Sequence, residues 1–183
     1  DGGSLVANSK GEIVTELPYF TEWIEILDLA EVESLIPMQQ NQSEMALIHD
    51  ALVMGIENYF DKLGFKKAIL GLSGGIDSAL VLALAVKALG KDNVLSVLLP
   101  SQYSSDHSIK DSLDLCENLG SPNKVISIEN GYFALEKTLQ PHFENKEPNV
   151  TEENIQARLR AIILMGLSNK DGYILLNTSN KSE

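Results

Sequence analysis

The stretch Gly71-Leu72-Ser73-Gly74-Gly75-Ile76-Asp77-Ser78 concentrates residue types that handle phosphate. Two adjacent glycines permit positive φ and close backbone approach, so that N–H groups can converge on an anion. Ser73 and Ser78 add hydroxyl donors at either end of the turn. Asp77 is the odd member, because a carboxylate repels phosphate. It makes sense where a divalent cation lies between the two and takes oxygen ligands from both. The same residues would equally serve as a tight strand-to-helix turn capped by Ser or Asp. The pattern lacks the lysine of G-x-x-x-x-G-K-[ST] and is not G-x-G-x-x-G, which weakens the ordinary P-loop NTPase and dehydrogenase readings.

Two further pairs carry chemistry. Asn154 and Arg158 are four residues apart in a helical stretch, so they share one face. An amide above a guanidinium suits the polar edges or phosphate of a nucleotide; the bland alternative is a solvated face on which the two pair with each other. Arg160 falls on another face and reads as surface charge. Thr178 and Glu183 follow an apolar run at 173–177, at the exit of what reads as a strand. His49, His107 and His142 are scattered without metal-ligand spacing. The single cysteine, Cys116, sits among Leu113, Leu115 and Leu119 and reads as buried structure, with no disulfide framework possible.

The elements that must position these groups are readable in outline. Residues 4–8 and 12–17 flank Asn8-Ser9-Lys10-Gly11, a hairpin composition, and the alternation in 23–29 predicts a half-buried strand. Residues 30–43 read as a linker. From there a helix runs from a Ser43 cap to Gly64. Strands are predicted at 67–72, 94–99, 125–128 and 173–177, and helices at 76–89, 108–119, 132–139 and 152–169. Such alternation means an α/β fold, a parallel sheet flanked by helices. The glycine turn then lies at the carboxyl end of a strand, where such sheets bind ligands.

Composition narrows the function classes. Over 183 residues, 14 Lys and Arg against 26 Asp and Glu leave a net charge of −12. That disfavours tracking of nucleic acid or anionic lipid, so any phosphate must be held locally. An apolar share of 44% with 22% charged residues is globular, and no apolar run reaches the roughly 18 residues of a membrane span. The chain starts at Asp1 without a methionine and stops at Glu183 inside a motif, as expected of a piece of a longer protein.

Ser73-Gly74-Gly75-Ile76-Asp77-Ser78 resembles the SGGxDS loop of the PP-loop ATP pyrophosphatases, which split ATP between its α- and β-phosphates to adenylate a substrate. Four stretches in order sharpen the resemblance: residues 71–80, Pro100-Ser101-Gln102-Tyr103-Ser104-Ser105, Glu153-Asn154-Ile155-Gln156-Ala157-Arg158, and Thr178-Ser179-Asn180-Lys181-Ser182-Glu183. Together, over 44–183, they are similar to the synthetase domain of the glutamine-dependent NAD synthetase family. Residues 1–29 resemble the end of that family's nitrilase-like glutaminase domain.

The resemblance implies the adenine nucleotide alpha-hydrolase-like (PP-loop) fold and a cytoplasmic ligase. That ligase would amidate deamido-NAD to NAD through an acyl-adenylate, releasing pyrophosphate and AMP, with ammonia from glutamine. It assigns Gly71, Leu72, Ser73, Gly74, Gly75, Ile76, Asp77, Ser78 and Thr178 to ATP. Of these, Ser73, Asp77 and Ser78 act on the departing pyrophosphate. It places Asn154, Arg158 and Glu183 at deamido-NAD, and Asp77 and Glu183 at Mg²⁺. Ser179 stands where the family usually has glycine. A homodimer or higher homo-oligomer with shared sites is implied. Another PP-loop ligase, or a nucleotide-binding fragment without activity, are the rival readings.

Overall fold

The computed structural model describes residues 2–38, 43–102, 104–143 and 146–178. They fall into two compact units, Asp1–Gly55 and Ile56–Glu183. The first holds an antiparallel hairpin of β1 (Leu5–Ala7) and β2 (Ile13–Glu16), with Val6 opposite Thr15. Asn8 makes the turn: its side-chain oxygen accepts from the N–H groups of Lys10 and Glu12, and Gly11 takes a φ of +78°. A short helix α1 (Leu29–Val32) follows, capped by Asp28. The strand expected at 23–29 does not form, and Ile24 and Ile26 are 90% and 92% exposed. Alternation alone makes no strand; backbone groups need a partner to pair with.

The boundary between the units falls within α2 (Glu44–Leu63). The second unit is built on a four-stranded sheet of β3 (Ala68–Gly71), β4 (Val94–Leu98), β5 (Asn123–Val125) and β6 (Ile174–Leu175). The order is β5-β4-β3-β6 and every pair is parallel, with Gly71 opposite Val97 and Ile69 opposite Leu175. The helices are α3 (Ile76–Leu89), α4 (Asp106–Leu119), α5 (Glu129–Leu139) and α6 (Val150–Asp171).

Strand periodicity divides the apolar side chains between two faces. Ala68, Leu70, Val94 and Leu98 pack with Phe60 of α2, Leu82 and Ala85 of α3 and Cys116 of α4. Ile69, Leu95 and Val97 pack with Ile163, Leu164 and Leu167 of α6 and with Ile128. β4 is buried along its whole length, as a central parallel strand covered on both faces must be.

Several boundaries differ from the sequence reading, α5 among them with its start three residues early at Glu129, and three differ for clear local reasons. β5 lies at 123–125, ahead of the apolar run at 125–128, because it is an exposed edge strand whose hydrophobicity does not mark it. α4 starts two residues early because Ser105 caps it, accepting from the N–H of Ser108 at 3.1 Å. α6 starts at Val150 because Asn149 and Glu152 form a reciprocal capping box, contributing about 1 kcal/mol. Among the described residues no helix is long and apolar enough to cross a membrane.

Candidate functional site

The strand order reverses beside β3: the chain moves outward to β4 and β5, then returns on the other side as β6. Crevices at such reversals, outside the carboxyl ends of the strands, are where open α/β sheets hold ligands. Here the crevice is a cleft of about 520 Å³, within the range that takes a nucleotide. Its floor is Gly71, Leu72 and Ser73 leaving β3 and residues 97–100 leaving β4. Ser105, Ser108 and Ser112 of the α4 side form one wall, Arg160 and Leu164 of α6 the other, and Thr178 closes it.

The turn out of β3 is held by its own serines. Ser78 is almost fully buried; its hydroxyl donates to the carbonyl of Gly75 at 3.0 Å and accepts from the N–H of Ser73 at 3.3 Å. The two hydroxyls meet at 3.1 Å, and the N–H of Gly75 donates to Ser73 Oγ at 3.2 Å. Gly74 has a φ of +84°, and a Cβ there would lie 2.7 Å from the carbonyl oxygen of Ser108. The turn thus presses against the start of α4, an approach open only to glycine. Gly75 is the N-cap of α3 and brings no side-chain cap. The first-turn N–H groups of α3 are therefore left for a ligand, whereas those of α4 are served by Ser105. Gly74, Gly75, Ile76 and Asp77 are solvent exposed, and Asp77 sits in that first helical turn.

Gly71, Leu72, Ser73 and Thr178 are thus brought to one cleft, with the rest of the turn running on from Ser73. Asn154 and Arg158 are not. Both are exposed on α6, where Arg158 donates to Asn154 Oδ1 at 2.9 Å and to its carbonyl at 3.2 Å. They line neither this cleft nor a second one, lined by Asn149, Glu152, Glu153, Gln156 and Arg160. Glu183 lies outside the described residues, as do 179–182.

Arg160 corrects the reading of it as surface charge. Its Nε donates to the carbonyl oxygen of Leu99 at 3.1 Å, and its Nη2 lies 3.5 Å from Ser101 Oγ. Burial pushes its guanidinium below the usual value. Gln156, Arg160, Ile163, Leu164 and Leu167 form the helical stripe that meets the sheet, and an arginine inside an apolar stripe was the available signal. The serines of α4 carried no such mark. Cys116 is buried, and burial pushes its thiol up; it is packing and not a nucleophile.

The family model described as NAD synthase matches residues 48–183. The chain belongs to the NAD synthase family. The glutamine-dependent NAD(+) synthetase of Synechocystis sp. is 46% identical over 191 residues, an alignment covering all of this chain and 34% of that protein. The structure of a glutamine-dependent NAD+ synthetase from Acinetobacter baumannii, in complex with adenosine diphosphate, is 39% identical. It superposes with a TM-score of 0.92 over all of this chain and 35% of its own. An NH3-dependent NAD synthetase from Campylobacter jejuni is 33% identical with a TM-score of 0.69, covering 78% of this chain and 59% of that one. The parallel sheet with its flanking helices is therefore the PP-loop fold of the NAD synthase family. The chain spans about a third of the length of the curated relatives it matches.

Proposed function

We propose that the protein is a ligase that uses ATP to amidate deamido-NAD to NAD. The observation that carries this is the uncapped start of α3, set by the 73–78 turn beside a nucleotide-sized cleft in a chain of the NAD synthase family. In the first half-reaction the nicotinate carboxylate of deamido-NAD attacks the α-phosphorus of ATP. A P–O bond forms, and the bond to the β-phosphate oxygen breaks with its electron pair leaving on pyrophosphate. In the second, ammonia adds to the acyl carbon and loses a proton, and AMP departs from the amide.

Both reactants are anions, so positioning and charge compensation carry most of the rate. The N–H groups opening α3 and the hydroxyl of Ser73 receive the charge that grows on pyrophosphate, while Ser78, buried with its hydroxyl donated to the Gly75 carbonyl, holds the turn in shape. Gly71, Leu72 and Thr178 fix the rest of the nucleotide. Mg²⁺ is ordinarily carried by one or two carboxylates together with substrate phosphates, and Asp77 is exposed in the first turn of α3 beside the N–H groups that would face phosphate. Asp77, and Glu183 by resemblance, would hold the metal, and when bound it supplies positive charge to the leaving group.

The ammonia comes, on this reading, from glutamine hydrolysed by a nitrilase-like domain. Residues 1–29 are the tail of that domain, 30–43 a linker and 44–183 the synthetase domain. Incubating the intact protein with ATP, Mg²⁺ and glutamine should yield NAD and pyrophosphate only when deamido-NAD is added. Pyrophosphate release that ignores deamido-NAD would overturn the reading and favour another PP-loop ligase.

Asn154 and Arg158 would bind deamido-NAD from a face of α6 that also exposes Ile162 and Met165. A substrate site built on such a face is completed by a second copy, so a homodimer or higher homo-oligomer is expected. Sedimentation of the intact protein should give at least twice the monomer mass; a monomer that turns over normally would sink shared sites. A segment that binds nucleotide without turnover is the second reading, favoured by the absence of Asn154 and Arg158 from the lining of the cleft. Turnover by the 183-residue chain alone would dismiss it.

A further inference from the structure

We propose that Arg160 is the positioning residue of the nucleotide cleft, fixing the exit of β4 against α6 so that the serine wall faces the 73–78 turn at the spacing ATP needs. Arg160 Nε donates to the carbonyl of Leu99 and Nη2 approaches Ser101 Oγ, tying α6 to a segment some sixty residues earlier. That segment is the hinge of the wall: Ser101 donates its N–H to Ser104 Oγ at 3.0 Å, Ser104 donates its own back to the carbonyl of Ser101, and Ser105 caps α4. On its far side the carbonyl of Pro100 accepts from the N–H of Ile128. Position is thus passed from Arg160 through Leu99 and Ser101 to Ser105 and Ser108, and Gly74 of the phosphate turn packs on Ser108.

Two observations make this more than a packing contact. Arg160 is the one charged side chain on the cleft wall among the described residues, and it has no carboxylate within ion-pair distance among them. A half-buried guanidinium without a counter-ion is costly to keep, and its depressed pKa is the mark of that cost. Arg160 also stands on the wall shared by both clefts, so a shift of its head group alters the nucleotide side first through its bonds to Leu99 and Ser101.

The inference rests on the proposed ligase reading, and its test separates the two. In the intact protein, Arg160→Met should raise KM for ATP about tenfold or more, the loss expected when a charged hydrogen-bond donor is removed. KM for deamido-NAD should change far less, and the melting temperature should fall by only a few degrees, the loss of about one hydrogen bond. Arg160→Lys, which keeps the charge and one donor, should recover most of the ATP affinity. An unchanged KM for ATP in Arg160→Met would overturn the proposal. So would KM values for both substrates rising together with a much larger fall in melting temperature, the pattern of a merely structural residue. If the unaltered protein makes no NAD from deamido-NAD, the ligase reading fails. Arg160 is then judged by calorimetric ATP binding alone, and weakened binding in Arg160→Met still supports the positioning role.

Discussion

Asp77→Ala is expected to lower deamido-NAD-dependent pyrophosphate release by about 10²–10³-fold, the range typical for removing one electrostatic contact to a developing charge. The fold should survive. Asp77 is exposed in the first turn of α3 and is not part of the hydrogen-bonded core of the turn, which consists of Ser73, Gly75 and Ser78. The only structural loss is a carboxylate near a helix N-terminus, worth about 0.3–1 kcal/mol. Melting temperature and circular dichroism should therefore stay close to those of the unaltered protein while activity collapses. If Asp77→Ala keeps its rate, the metal role of Asp77 is wrong. If it unfolds, the reading of Asp77 as a ligand-side group and not a structural cap is wrong.

Gly74→Ala and Gly75→Ala should behave oppositely although the residues are neighbours. At Gly74 the added methyl would meet the backbone of Ser108, with its carbonyl oxygen at 2.7 Å and its Cα at 2.8 Å, at a φ of +84°. Positive φ alone costs a non-glycine residue about 1–2 kcal/mol. Relieving the overlap requires α4 or the turn to move, so both stability and ATP affinity should fall. A total near 2–4 kcal/mol would lower the melting temperature by roughly 4–15 °C in a unit of this size. At Gly75 the φ is −86°, and the nearest atom to a new Cβ is Ser73 Oγ at 3.4 Å, an ordinary contact. Thermal melts of the two variants check this. Equal effects at both positions would mean that the close approach to Ser108 does not shape the turn.

These two glycines show where sequence reasoning reaches and where it stops. The pair announces a turn that needs conformational freedom, but only the packing of Gly74 on α4 says which glycine is indispensable. The span of α3 was readable to the residue, because the glycines before it and Gly90 after it are local signals. β5 was displaced because an edge strand carries no apolar stripe. The strand expected at 23–29 failed because alternation describes a side-chain pattern and not a backbone partner. Arg160 was misjudged for a related reason: spacing set it apart from Arg158, but only the sheet made its side the buried one.

Charge follows the same division between global and local. A net charge of −12 over the chain argues against broad anion-binding surfaces, and the cleft is consistent with that, having a single charged side chain on its wall among the described residues. On the proposed function, phosphate recognition falls to oriented N–H groups and the Ser73 hydroxyl, which need no net charge.

The central claim is that the substrate carboxylate attacks the α-phosphorus of ATP beside the 73–78 turn. Its most direct test is oxygen tracing with deamido-NAD carrying ¹⁸O in the nicotinate carboxylate, turned over by the intact protein with ATP, Mg²⁺ and ammonium. Attack at the α-phosphorus predicts one ¹⁸O per turnover in AMP and none in pyrophosphate. Label in orthophosphate, or AMP formed without label, would contradict it.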